Sequence, residues 1–321
     1  MFDLVIANLS SPMILAFLLG LVAVAIRSDL RLPEALYASL SICLLLAIGL
    51  KGGVAIRASG FEELLAPLVA TLILSVVTPL TAYLFARWSG SFNQVDSAAL
   101  AAHYGSVSVV TFFAALSFLE QLSLKPEPFM PALVAALEIP AIVIALLLVK
   151  SKESKGASFW KALHEVVAGK SIVLLVGGVA IGVISGQTGF AKVAPLFEEL
   201  FPGLLVLFLL EIGMVCGSRI RDLGRVGGAL VCYGILIPIM HGFIGVIAGY
   251  AAGLSHPGTV VLATMAASAS YIAAPAAVRI ALPEANPGYY VTASLGVTFP
   301  FNLSIGIPLY YWMTTFFYPN L

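Results

Sequence analysis

Charge is what this chain has least of. Only 10% of its 321 residues are charged, and sixteen basic residues cancel sixteen acidic ones to a net charge of zero. No cluster of Lys or Arg alternates with aromatics, which excludes nucleic acid as a partner class. Cysteine is nearly absent. Cys43, Cys216 and Cys232 lie in apolar runs without C-x-x-C spacing, so neither a disulfide framework nor a metal site is supported. The histidines, His103, His164, His241 and His256, are scattered, and no nucleophile with a base can be assembled, so no enzyme and no cofactor are expected. Gly169-Lys170-Ser171 resembles the end of a phosphate loop, but His164 stands where that motif needs glycine. Residues 1–11 carry Asp3 and no Lys or Arg, so the first apolar run lacks the basic region of a cleaved signal peptide and reads as a retained span.

What the chain has instead is length of apolar run. It is 60% hydrophobic with a mean hydropathy of +1.05, which puts it in the membrane class. Runs able to cross about 30 Å of hydrocarbon occur at 12–26, 33–50, 61–88, 95–120, 127–149, 167–187, 195–217, 226–253, 257–282 and 288–318. An all-α membrane protein of ten transmembrane helices is expected. The only sizeable polar connection falls within residues 150–166, which read as a solvated linker with a short amphipathic helix, dividing the chain into 1–149 and 167–321. Alternate loops put twelve of the sixteen basic residues on one side: Arg27, Arg31, Arg87, Lys150, Lys152, Lys155, Lys161, Lys170, Arg219, Arg221, Arg225 and Arg279. Lys51, Arg57, Lys125 and Lys192 fall on the other. The first side is then cytoplasmic, both termini lie outside, and the location is the inner (plasma) membrane.

The two halves echo each other. Residues 48–60 and 212–224, aligned from Ile48-Gly49 and Ile212-Gly213, share six identities in thirteen positions, where chance gives about one. Leu19-Gly20-Leu21-Val22-Ala23 likewise matches Val176-Gly177-Gly178-Val179-Ala180. Either match alone is also what a small-residue packing face would produce. Two in the same order point to a repeat. A five-span unit is odd, so its second copy crosses the bilayer in reverse, which is the plan of inverted-repeat transporters. The glycine rows Gly178/Gly182/Gly186 and Gly245/Gly249/Gly253 suit close helix packing, either static or sliding.

Under that repeat the fourth and ninth spans correspond. Both carry small and hydroxylated residues at mid-span, in His103-Tyr104-Gly105-Ser106-Val107-Ser108-Val109-Val110-Thr111 and in Ser268-Ala269-Ser270-Tyr271-Ile272-Ala273-Ala274-Pro275. Unpaired backbone groups cost several kcal/mol in hydrocarbon, so a helix breaks only where protein or a wet cavity supplies partners. A break exposes N–H groups with partial positive charge on one side and carbonyls with partial negative charge on the other. Two breaks crossing at the midplane can hold an anion and Na⁺ together without a buried Lys or Arg. Pro275 suits a first helical turn, or a simple kink. The substrate-binding candidates are Gly105, Ser106, Val107, Ser108, Ala269, Ser270 and Tyr271. The sodium-binding candidates are Asp96, Ser108, Thr111, Ser268, Ser270, Glu138 and Asn302, with Glu211, Thr298 and Ser304 behind them. Each serine could equally bond back to its preceding turn, Asp96 could be a helix N-cap, and Glu138 and Glu211 could be paired structural carboxylates. A passive channel would need a continuous polar stripe, and only a midplane cluster is present.

The chain also resembles a known family, the sodium-dependent bicarbonate transporters (SbtA-like permeases), over nearly its whole length. The resemblance is carried by Ser11-Pro12 with Leu15-Ala16-Phe17-Leu18, by Ile48-Gly49-Leu50-Lys51-Gly52-Gly53-Val54-Ala55-Ile56-Arg57, and by Val95-Asp96 with Gly105, Val107, Ser108 and Thr111. Ile139-Pro140-Ala141, Ser218-Arg219-Ile220, Pro238-Ile239 with His241-Gly242-Phe243-Ile244, and Ala285-Asn286-Pro287 extend it. The resemblance implies five-plus-five inverted repeats, a core bundle moving against a gate bundle in elevator fashion, Na⁺-coupled bicarbonate import, a homotrimer and a PII-like cytoplasmic regulator. The ninth-span break departs from the family's Ser-Ser-Ser-Asp-Ile-Ser-Gly-Pro-Pro at Tyr271 and Ala273, and the fourth at Val109 and Val110. Those departures keep open a second expectation, a symporter of a small organic anion on the same scaffold.

Overall fold

A computed structural model describes residues 2–59, 62–148, 156–220 and 227–318. The basic residues Lys150, Lys152, Lys155, Arg221 and Arg225, and the glycines Gly60 and Gly224 that close the repeat match, lie outside the described residues. The chain is 83% helix, with no strand among the described residues. Among the described residues, seven helices are long and apolar enough to cross a membrane, by length and composition.

The chain opens with α1 (Phe2–Leu9), which meets α2 (Pro12–Ala25) at a 70° bend. The bend follows from local chemistry: Ser11 is extended and its hydroxyl accepts from the Ile14 N–H, while Pro12 opens the helix with no N–H to orphan. α3 (Glu34–Ser59) runs nine residues beyond the expected end at 50, carrying Lys51 inside the helix. Its ammonium lies 5.2 Å from the centre of the Phe201 ring, which accommodates the charge. α4 (Glu62–Trp88), α5 (Gln94–Gly105), α6 (Val109–Gln121) and α7 (Met130–Leu147) complete the first half. α8 (Gly156–Val167) is a short amphipathic helix. α9 (Lys170–Ala191), α10 (Phe201–Ile220), α11 (Gly228–Ala251), α12 (His256–Ala266) and α13 (Ala273–Ala281) follow. The last helix, α14 (Pro287–Thr315), contains π-helical turns at Thr292–Thr298 and Asn302–Gly306.

The helices sort into two bundles. In one, α3 packs along α9 and α2 along α10. Glycines make these contacts close: Gly49 and Gly53 face α9, Gly178 and Gly182 face α3, and Gly20 meets Gly213. A side chain at Gly53 would collide with the Val179 carbonyl, and one at Gly20 with the Leu210 carbonyl. The other bundle joins α4, α5 and α7 to α11, α12 and α14, with α13 against α8. α9 itself is kinked at Gly186, whose φ of 61° and ψ of −169° suit glycine alone. The Arg57 guanidinium donates to the Val183 and Ile184 carbonyls beside that kink, at 3.1 and 2.7 Å.

Candidate functional site

Two interrupted segments cross inside the second bundle. α5 stops at Gly105, and Ser106 and Ser108 are extended, with φ/ψ of −92°/162° and −93°/111°. Ser108 then caps α6, its hydroxyl accepting from the Thr111 N–H at 3.2 Å. Gly105 has no room for a Cβ, which would meet the Pro79 ring of α4. The second interruption runs from Ala267 to Ile272, between α12 and α13. Here Ser270 takes the capping part, accepting from the Ala274 N–H at 3.3 Å. This segment is therefore two short helices, which explains why no single continuous membrane-length helix covers it. The window around α5 and α6 is 94% buried, so protein surrounds the break as the lipid argument requires.

The two broken segments bond directly to each other. The Ser270 N–H donates to the His103 carbonyl at 2.8 Å, and the Ser108 N–H donates to the Ser268 hydroxyl at 2.8 Å. The Ser268 hydroxyl in turn donates to the Met265 carbonyl, at 2.8 Å. Each break thus satisfies backbone groups that the other would leave orphaned in a buried setting.

The two faces of the crossing differ. On the carbonyl face, side chains from neighbouring helices occupy the helix ends that sequence reasoning reserved for a cation. The Thr78 hydroxyl, donating to Leu74 at 2.8 Å, shares its hydrogen with the Gly105 carbonyl at 3.3 Å, and the Asn302 amide donates to Ala267 at 2.9 Å while its oxygen accepts from Tyr310 at 2.7 Å. His241, fully buried, lies against the main chain of Tyr104 and Ala266, with Nε2 2.9 Å from the Thr81 hydroxyl. On the face where α6 and α13 begin, Ser108, Ser270, Tyr271, Glu138 of α7 and Ser171 of α9 enclose a cavity of about 10 Å³, room for roughly one water molecule. Glu138 is 1% exposed and its Oε2 has no hydrogen-bond partner among the described residues. The Tyr271 ring meets Phe299 edge-on at 5.4 Å, and Phe299 meets Phe17 of α2 at 5.4 Å, which ties the break to the first bundle. A second space of about 170 Å³, lined by Glu165, Lys170 and Ala273, shares Ser171 and Ile272 as walls with the first.

The candidates from sequence distribute accordingly. Gly105, Ser106, Val107, Ser108, Ala269, Ser270 and Tyr271 form the crossing, Ser268 bridges it, and Thr111 lies in the first turn of α6. Glu138 faces the cavity. Asn302 adjoins the crossing with both amide ends engaged. Asp96 does not reach it: it sits at the opposite end of α5, about 13 Å away along the helix. Its carboxylate accepts from the Asn286 N–H at 2.8 Å and from the Asn93 amide at 2.7 Å. Thr298 donates to the Gly234 carbonyl of α11 at 2.6 Å and lies 2.7 Å from the Tyr104 hydroxyl of α5, which places it beside the crossing, whereas Ser304 makes only a local bond to Pro300. Glu211 lines a separate space of about 550 Å³ with Arg27 and Arg31. Ser171, Thr78 and His241 were not singled out as site residues from sequence; nothing local marks them, since helix packing alone brings them to the crossing. Among the described residues no group of three His, Cys, Asp or Glu side chains could hold a metal ion.

The model of one protein family, described as the Na⁺-dependent bicarbonate transporter superfamily, matches residues 12–315. No sequence among the curated proteins compared matches the chain.

Proposed function

Because the chain belongs to the Na⁺-dependent bicarbonate transporter superfamily, a family of transporters and not of enzymes, we propose that it imports bicarbonate coupled to Na⁺. The observation that carries this reading is the crossing itself: two broken helices bonded through Ser108, Ser268, Ser270 and His103, with hydroxyl side chains and one carboxylate lining a cavity. The starts of α6 and α13 favour an anion. With the carbonyl face already capped, Glu138, Ser108 and Ser270 are the groups that would hold the cation. No further cofactor is needed. Coupling has an energetic reason, since bringing a monovalent anion into a cell at 100 mV negative costs about 2.3 kcal/mol, which one accompanying Na⁺ cancels.

Ten spans in two inverted repeats fit the packing. Under such a repeat the pairing of spans one and seven maps onto six and two, and these are the α2–α10 and α3–α9 pairs that glycines bring together. Spans three and four (α4–α5) likewise map onto eight and nine (α11–α12), which also pack together. The two bundles then serve as gate (α2, α3, α9, α10) and core (α4–α7, α11–α14) of an elevator. Ser171 of the gate closes the core's cavity on the side that the basic loops assign to the cytoplasm. Residence in the inner (plasma) membrane with both termini outside, assembly as a homotrimer and control by a PII-like cytoplasmic protein belong to the same proposal.

A second reading, a small organic anion as substrate, is favoured by the Tyr271–Phe299 contact, which makes one wall aromatic. Uptake of labelled bicarbonate into proteoliposomes, with and without a Na⁺ gradient, tests both. Na⁺-driven uptake that Ser108→Ala or Ser270→Ala weakens supports the first reading. Uptake indifferent to Na⁺ removes coupling, and robust uptake of another carboxylate in place of bicarbonate promotes the second.

A further inference from the structure

We propose that Glu138 selects the substrate by accepting its hydroxyl hydrogen, so that the carrier takes oxyanions bearing an O–H, bicarbonate first, and rejects nitrate. This rests on the anion-carrying reading above and assigns a discriminating residue to it. Glu138 is 1% exposed, faces the same cavity as Ser108, Ser270 and Tyr271, and leaves Oε2 without a partner among the described residues. The other polar side chains lining that cavity, Ser108, Ser171, Ser270 and Tyr271, carry hydroxyls, which can donate to any small anion. A carboxylate is different, because with the Na⁺ of the proposed function held at its other oxygen it is ionised and only accepts. Nitrate, planar and singly charged like bicarbonate, would press oxygen against oxygen there and leave a buried charged acceptor unpaired. Bicarbonate carries a hydrogen that fits it. A site built to bond a substrate hydroxyl rejects the analogue that lacks one far better than an apolar pocket rejects a difference in size.

Glu138 Oε2 is the buried carboxylate oxygen beside this cavity that has no partner among the described residues. A role in holding Na⁺ is compatible, since a carboxylate has a second oxygen. The cavity of about 10 Å³ admits the anion once Ser171 and Ile272 part and join it to the adjoining space of about 170 Å³. Both walls lie at helix beginnings, Ser171 on α9 of the first bundle and Ile272 before α13 of the second.

The test compares bicarbonate and nitrate on the purified protein in Na⁺ buffer, as stabilisation against heat, and in proteoliposomes, as competition with labelled bicarbonate. Bicarbonate should stabilise the wild type, and nitrate should act about 100-fold more weakly, the effect of leaving a buried charged acceptor unpaired. Glu138→Gln, whose amide can donate, should lower the response to bicarbonate and admit nitrate, erasing the difference. Equal effects of the two anions on the wild type, or no stabilisation by bicarbonate, overturn the proposal whether or not the variant folds. An unchanged ratio in a folded Glu138→Gln protein overturns it as well. Absent Na⁺-driven uptake with the binding preference intact would remove the transport reading and leave the selectivity of Glu138 standing.

Discussion

The Ser108 N–H donates to the Ser268 hydroxyl across 2.8 Å, joining two residues 160 positions apart at the centre of the fold. Ser268 is fully buried, and its hydroxyl also donates to Met265, so a single side chain ends one helix and satisfies the break in another. Ser268→Ala should orphan the Ser108 N–H and cost about 1–3 kcal/mol. The expected outcome is a lower melting temperature in detergent together with reduced Na⁺-driven uptake; an unchanged melting curve would show that the crossing does not depend on this bond.

Asp96 and Glu138 are separable by one measurement. Asp96 holds Asn286 and Asn93 at the far end of α5. Asp96→Asn should therefore lower stability and leave the Na⁺ concentration for half-maximal uptake unchanged, whereas Glu138→Gln should raise that concentration. A shift in Na⁺ dependence for Asp96→Asn would put the ion near the start of α5 instead.

Glycine matters at some positions and not at others. At Gly53 a methyl group would strike the Val179 carbonyl of α9, while at Gly177 nothing lies within 4 Å. Gly53→Ala should cost about 1–3 kcal/mol through overpacking, and Gly177→Ala should be silent. Thermal unfolding of both variants checks the pair.

Gly186 answers to a different cause, backbone conformation. Its φ of 61° with ψ of −169° is a combination essentially closed to other residues. Gly186→Ala should cost about 1–3 kcal/mol. Arg57→Ala, which removes the donor to Val183 and Ile184, should weaken the same kink by a smaller amount, since Arg57 is exposed and water can replace it. Hydrogen exchange of the amides from 183 to 190 reads both effects.

Much of the crossing was legible before any coordinates. Serines, glycine and proline inside apolar runs at matching places in two halves are costly unless the backbone departs from a helix there, and that cost can be read locally at Gly105–Ser108 and Ser268–Pro275. For Asp96 the sequence left two roles open, an ion ligand or a helix N-cap; the structure gives the cap to Asn93 and has Asp96 accept from the Asn286 N–H. Only the approach of Asn286, distant in the chain, distinguishes the two. Thr78, His241 and Asn302 belong to three further helices, and their convergence on the carbonyl ends has no signature along the sequence.

The chain's own order of residues determined that it is helical and membrane-embedded, where its apolar segments run and where two of them must be interrupted, because hydropathy and backbone cost are properties of short stretches. The tertiary structure decided which helix ends stay open. That outcome depends on side chains from α4, α11 and α14 reaching the carbonyl face, and on Glu138 and Ser171 meeting on the other. Such contacts arise from helices packing together, and no local pattern encodes which face a distant side chain will cover.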